Sequence, residues 1–475
     1  GNSITSGGNY NVVVGDEAGT ALTTGDNNVA VGYAALDAED TGTDSVAVGY
    51  NALTAQNNND ANYNTAVGSS AGASVTTGIR NTLIGGLTGD AMTTGQNNVA
   101  MGYQTLGAET AGKRAVALGS FALATQNHST GTENYNVGVG YNAGGLITTG
   151  VENTLLGALA GDALTDADYN TALGYRSLSA DTKGSRSVAV GRESLFNQNF
   201  STATDSYNVA VGYSAGQQVT TGTQNTLVGG EAADALTDSD FNVAVGYHAL
   251  GADTLGSRST AIGHSALAAQ NFTTATNSHN VGVGYFAGAA VTTGDQNTLI
   301  GALAGDALTT GSSNVALGFQ ALTTDTLGQS SVAIGRNALI VQNFTTATDS
   351  FNVAIGDRAA TSITTGQQNT LIGGLAGDAL SDADFNVAIG VSALGADTLG
   401  SQSVAIGNSA LGAQNLTTAT NSLNTAVGFQ AGASVTTGTS LTLIGAQAGD
   451  ALTDADYNVA VGDFALSADT LGSRS

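Results

Sequence analysis

Proline, cysteine and tryptophan are all missing from the 475 residues. An average chain carries about 5% proline. Proline removes a donor from a strand ladder, so its absence suits a chain paired by continuous backbone hydrogen bonds. The lack of cysteine excludes disulfides, thiolate metal sites and cysteine nucleophiles. Charge is scarce and one-sided: 10% of residues are charged, 11 basic against 37 acidic, for a net charge of −26. No basic stripe exists to meet phosphates, which argues against nucleic acid as a partner and against charge-driven adsorption to an anionic membrane. No apolar run approaches the length of a membrane span, so no membrane insertion is expected of this segment. HExxH and phosphate-loop motifs are missing, and no nucleophile, base and orienter recur together. The expectation is therefore a non-enzyme with no catalytic residues and no organic cofactor.

What fills the chain instead is glycine, 67 residues of it, and a phrase typified by Asn242-Val243-Ala244-Val245-Gly246. Apolar residues, mostly β-branched, alternate with a small one, which reads as a short strand closed by a turn. The closing glycines run from Gly15 to Gly462 in 26 copies. From Gly68 on, their spacings repeat as 17, 17, 17 and 21, so Gly68, Gly140, Gly212, Gly284, Gly356 and Gly428 stand 72 apart. Such a period is the mark of a solenoid. Residues 1–475 read as one continuous repeat array with superunits near 64–135, 136–207, 208–279, 280–351 and 352–423. The chain begins and ends inside the pattern and is expected to be a segment of a longer polypeptide.

Four coil types follow one another in each superunit. They read like NVAVGYSAGQQVTTGTQ from Asn208, NTLIGALAGDALTTGSS from Asn297, NVAVGYHALGADTLGSR from Asn242, and the longer SVAIGRNALIVQNFTTATDSF from Ser331. Coils this short cannot hold a crossover helix. The expected fold is all-β: a parallel β-roll, or β-solenoid, of about 26 short coils. Each coil is expected to carry two extended pieces, the NVAVG strand and the LTTG or DTLG stretch. Coils stacked about 4.8 Å apart would give a rod of roughly 125 Å.

Side chains alternate across a strand. The expectation is that Val243 and Val245 line the inside of the coil and Ala244 faces out. The outward column is then Ala, sometimes Gly as at Gly282, and Leu in the second coil type: Leu83, Leu155, Leu227, Leu299, Leu371 and Leu443. A strand apolar on both faces suggests that both are buried. The Ala, Gly and Leu column is accordingly assigned to a subunit interface of a homo-oligomer; packing on the rest of the same coil is the alternative. Thr298 beside Leu299 suggests volume compensation. The Asn that precedes most strands is expected to stack into an amide ladder.

The phrases SVAIGRNAL from Ser331, STAIGHSAL from Ser259 and SVAIGNSAL from Ser403 resemble the head repeats of trimeric autotransporter adhesins. Similar repeats occur in phage tail-fibre shafts. The resemblance covers the whole chain. It implies a left-handed parallel β-roll, a homotrimer, exposure on a cell or virion surface, and attachment to a host or surface receptor or glycan. A self-assembling filament or sheath is the alternative reading, and an ice-binding solenoid, suggested by the TTG phrases, ranks last.

Three columns are candidates for chemistry. Asp90, Asp162, Asp234, Asp306, Asp378 and Asp450 recur at 72-residue intervals and are the candidates for calcium, although turn and solubility roles are commoner for Asp. A second acidic set includes Asp168, Asp384 and Asp456. The insertions Asn199–Tyr207, Asn271–His279, Asn343–Phe351 and Asn415–Leu423 are expected to bulge as longer turns. Tyr often follows the glycine, as at Tyr33, Tyr103, Tyr175, Tyr213, Tyr247 and Tyr285, and is expected to pack along a rim. The four histidines, His128, His248, His264 and His279, occupy unlike positions.

Overall fold

A computed structural model describes residues 7–475. Among the described residues there is no helix, and every regular element is a strand. The fold is a parallel β-solenoid of about 26 turns. The chain divides into two compact units, Gly1–Asp240 and Phe241–Ser475. Each contributes thirteen three-residue strands.

Within each unit successive strands pair in parallel with no slip of register. Val188, Ala189 and Val190 face Val209, Ala210 and Val211 in the first unit. Val243, Ala244 and Val245 face Thr260, Ala261 and Ile262 in the second. Like therefore stacks on like, and each sequence column becomes a physical column. The closing glycines stack most tightly. Gly246 holds φ at +135°, and a Cβ there would lie 2.4 Å from the carbonyl oxygen of Gly263. No L-residue fits such a stack, which is why the phrase always ends in glycine.

The second stretch is extended only in part. Two-residue strands such as Gly256–Ser257 and Thr276–Asn277 pair there in third and fourth coils. The TTG stretches of the first and second coils form no strand, contrary to the expectation of two extended pieces in every coil. After the glycine the backbone alternates in sign: Arg176 holds φ at 56° and Leu178 at 53°. Left-handed backbone every second residue curls the chain instead of extending it. Among the described residues, none of the non-glycine residues with positive φ is Val, Ile or Thr, in keeping with the cost of that region for β-branched side chains. The TTG stretch still stacks coil on coil. Thr148 N–H donates to the Thr165 carbonyl at 2.8 Å, and Thr165 N–H to the Thr182 carbonyl at 2.9 Å.

The strand faces run opposite to the expectation. The middle residue points inward: Ala100, Ala172 and Ala244 are fully buried, while Val99 and Met101 beside Ala100 are 36% and 45% exposed. Opposite a turn leucine the strand centre has room only for a small residue. A Cβ added even to Gly138 would lie 2.9 Å from Leu123 Cγ. The Leu column fills this interior as well. Leu83, Leu155, Leu227, Leu299, Leu371 and Leu443 are at most 1% exposed within the single chain. They, with Ala244 and Gly282, are core and not a subunit interface. Burial of each Leu is worth about 1.5–3 kcal/mol. Volume is balanced by glycine, not by threonine. A Cβ on Gly144 would come within 2.7 Å of Leu155, and one on Gly161 within 2.9 Å. In the third and fourth coils the leucine arrives from the turn instead, as with Leu178 and Leu195, over strand centres Ala172 and Ala189.

The expected amide ladder is present. Asn208, Asn225 and Asn369 are fully buried. Asn208 Nδ2 donates to the Gly222 carbonyl at 2.7 Å, and its Oδ1 accepts from Asn225 N–H at 2.9 Å. Asn225 Nδ2 also reaches Asn208 Oδ1 at 3.3 Å. Each amide closes its own coil and ties it to the next.

Candidate functional site

Two features stand out from this scaffold: an apolar outer face and a set of buried acids. The outer face consists of the two flanking residues of every strand, half-buried or exposed throughout. An aromatic column runs beside it. Tyr33 and Tyr50 stack with ring centroids 5.4 Å apart. Phe121 stands edge-on to Tyr103 and Tyr141 at 5.6 and 6.2 Å. In the second unit His264 lies 5.4 Å from Tyr247 and 5.5 Å from Tyr285. The tyrosines thus line one edge of the sheet, and Tyr103, Tyr175, Tyr213, Tyr247 and Tyr285 are 46–56% exposed.

The buried acids were not foreseen from sequence. In the third coil of a superunit the interior position taken by Leu or Val elsewhere holds a carboxylate. In the fourth coil, 17 residues later, it holds glutamine. The pairs are Glu39–Gln56, Glu109–Gln126, Asp181–Gln198, Asp253–Gln270, Asp325–Gln342 and Asp397–Gln414, and all twelve residues are fully buried. The invariant spacing of acid and glutamine was the available signal; it was masked because DTLG reads as a surface turn.

Each acid sits in a closed cell. Gln198 Nε2 donates to Asp181 Oδ2 at 2.6 Å and to Ser187 Oγ at 2.8 Å. Asn208 Nδ2 donates to Gln198 Oε1 at 2.9 Å. The N–H groups of Gly184 and Phe200 reach Asp181 Oδ1 at 3.0 and 3.2 Å. Phe200, from the insertion, plugs the cell and is only 5% exposed. The insertion then exposes residues 201–203 and returns through Thr204–Asp205, which pairs in parallel with Gly184–Ser185. Burial pushes the Asp181 carboxyl up, against the hydrogen bonds from Gln198, Phe200, Gly184 and Lys183.

The preceding superunit builds the cell differently. His128 replaces the phenylalanine, and its Nδ1 lies 2.9 Å from Glu109 Oε2. Its Nε2 faces the Thr149 carbonyl at 3.4 Å. Both ring nitrogens face acceptors, so the imidazolium is the form that fits. Burial disfavours charge on both partners, yet Glu109 is held below its ordinary range by His128, Gln126 and backbone N–H groups, and His128 above its own by Glu109. These cells are closed to solvent and their acids are saturated with donors. Each acid is held by fixed partners from its own coil and the next.

The calcium candidates are not brought together. Asp90, Asp162 and Asp234 in the first unit, and Asp306, Asp378 and Asp450 in the second, are half-buried turn residues that stand four coils apart within their unit, or about 19 Å at 4.8 Å per coil. No group of three or more His, Cys, Asp or Glu that could hold a metal occurs among the described residues. Burial raises the carboxyls of Asp90, Asp162 and Asp378. The second acidic set serves the turns. Asp168, Asp384 and Asp456 each accept a backbone N–H from the coil before, of Val151, Gln367 and Thr439, at 2.7–2.8 Å.

Comparison with family models, with curated proteins and with solved structures finds no match for this chain.

Proposed function

We propose that this chain is a non-enzymatic attachment scaffold, a stiff extracellular β-solenoid whose copies associate, as a homotrimer, through the Val and aromatic outer face. The observation that carries the proposal is that face. A solvated strand surface ordinarily alternates apolar with polar; here the flanking positions are Val, Ile, Leu, Met and Thr throughout each unit. With thirteen coils per unit at about 4.8 Å each, a strip about 10–15 Å wide covers roughly 600–900 Å². A standard interface buries about 800 Å² per partner. The resemblance to trimeric adhesin and tail-fibre repeats supports three copies and a place on a cell or virion surface, where a receptor or glycan would be met.

Backbone pairing between every two coils, the amide ladder and the buried cells all resist bending, which suits a spacer that holds a contact away from its base. Sedimentation equilibrium tests the association. The expected species is a trimer at micromolar concentration, converted to monomer by Val188→Lys with Val209→Lys. A monomer in the parent would overturn it. Species that grow without limit would move the assignment to a self-assembling surface filament.

A further inference from the structure

We infer that a surface notch around Asp90 receives a guanidinium group, the side chain of an arginine presented by another protein. The notch has a volume of about 280 Å³ and is lined by Asp90, Gln104, Gly107, Ala108, Phe121 and Ala124. A carboxylate, an amide and an aromatic ring converge on it, over a floor of small residues. That combination suits a flat cation, which can be hydrogen-bonded by the carboxylate and stacked on the ring.

The chain carries its own template for this occupancy. One superunit later the equivalent place holds Asp162, Arg176, Ser179 and Phe196. There Arg176 lies with its guanidinium carbon 4.4 Å from the centroid of Phe196, its charge favours the ionised Asp162, and the Ser179 hydroxyl donates to the Asp162 carboxylate. At Asp90 all three side chains are replaced. Gln104 stands for the arginine, Gly107 for the serine and Ala124 for the phenylalanine. Burial raises the Asp90 carboxyl, and only the backbone N–H groups of Asp90 and Ala91 oppose this. No ion pair of the described residues includes Asp90. Phe121 supplies a ring from the neighbouring coil, held edge-on by Tyr103 and Tyr141.

The position of Gly107 alternates along the chain: Gly107, Ser179, Gly251, Thr323, Gly395 and Ser467. Ser179 and Thr323 donate to the aspartates beside them, Asp162 and Asp306. A Cβ on Gly107 would lie 3.5 Å from Asp90 Oδ1, so a side chain is tolerated there and its omission leaves the notch open. A divalent cation is the poorer fit, because one carboxylate offers too few oxygens.

The notch is built by a single chain, but Phe121 also belongs to the aromatic column of the proposed association face. The parent for this test therefore carries Val188→Lys and Val209→Lys, which keep that face open. The full chain is titrated with N-acetylarginine amide, and the amide NMR signals of Asp90, Gly107 and Phe121 are followed. The expected result is saturable shifts confined to the notch, with Kd on the order of 1 mM. N-acetylcitrulline amide, of the same shape without the charge, should bind at least about tenfold more weakly. Gly107→Ser, which copies the closed repeat and so keeps the fold, should abolish the shifts, as should Asp90→Asn. Equal response to citrulline, persistence in Gly107→Ser, absence of any shift in the parent, or saturable shifts with a methyl glycoside in place of arginine would each overturn the inference.

Discussion

The Glu109 cell and the Asp181 cell occupy the same place in consecutive superunits and bury the same charge by different means. Around Asp181 the acid is short, the plug is Phe200, and Ser187 and Ser206 join hydroxyls at 2.6 Å behind the glutamine. Around Glu109 the acid is one methylene longer, the plug is His128, and Ala115 and Asn134 stand where the serines were. The Asp cell is satisfied by neutral donors alone and leaves its carboxyl raised. The Glu cell recruits a cation and lowers its carboxyl. It also leaves Asn134 Nδ2 buried with no hydrogen-bond partner. The equivalent Asn62 in the superunit before donates to Glu39 Oε2 at 3.1 Å. Histidine thus displaces the asparagine from the acid. The acid is kept supplied with donors in both cells, because a buried carboxylate with one partner removed is costly.

The strongest way to break the comparison is to move one member alone. His128→Phe leaves the longer carboxylate buried without its cation and is expected to destabilise the first unit by about 3–5 kcal/mol, read by urea unfolding. The set Ala115→Ser, Glu109→Asp, His128→Phe and Asn134→Ser rebuilds the Asp cell and should restore most of that loss. If the set is no better than the single change, the cells are not interchangeable modules.

Acid titration sharpens the contrast, because the two carboxyls are shifted in opposite directions. Glu109 is lowered on folding, so its contribution is present above the ordinary carboxylate pKa and is lost as pH falls through the folded value. His128 is raised, so its contribution is present below the ordinary imidazole pKa and is lost as pH rises through the folded value. Asp181 is raised, so its contribution is present below the ordinary carboxylate pKa and is lost as pH rises through the folded value. Between about pH 3 and pH 6, the advantage of the parent over Glu109→Gln should grow with pH, and its advantage over Asp181→Asn should shrink. Parallel slopes in the two series of urea midpoints would contradict the assigned directions.

The smallest effect is expected at the plug. Leu416 occupies the place of Phe200 in a later superunit and is as well buried. Phe200→Leu should therefore cost under about 1.5 kcal/mol, measured in the same assay. A larger loss would show that the ring, and not merely an apolar cover, is needed over Asp181.

The coil length, the superunit, the parallel stacking and the amide ladder were all legible in the spacing of glycines and asparagines, because like stacks on like. The direction of the strand faces was not. Val243 and Ala244 are both apolar enough for a core, and only the width of the coil, set by its left-handed turn residues, decides between them. That width turned Leu83 and its equivalents from a supposed interface into interior packing. It also moved the candidate docking face to the valines. The acids were hidden for a related reason: Asp181 sits in a phrase whose neighbours Lys183 and Thr182 belong to the surface, and only its tie to Gln198 reveals that it points inward.

Because each acid and its glutamine lie on successive coils, a change of length that separates the two breaks a cell. Excision of the coil that carries one of them would bring a glutamine under a strand built for leucine, or an acid under a cover with no amide. Excision or duplication of 72 residues, as from Val137 to Asn208, rejoins matching coils and keeps every cell whole. Unequal recombination between superunits in register can therefore lengthen or shorten the solenoid by four coils at a time, and each step carries its buried acid with it.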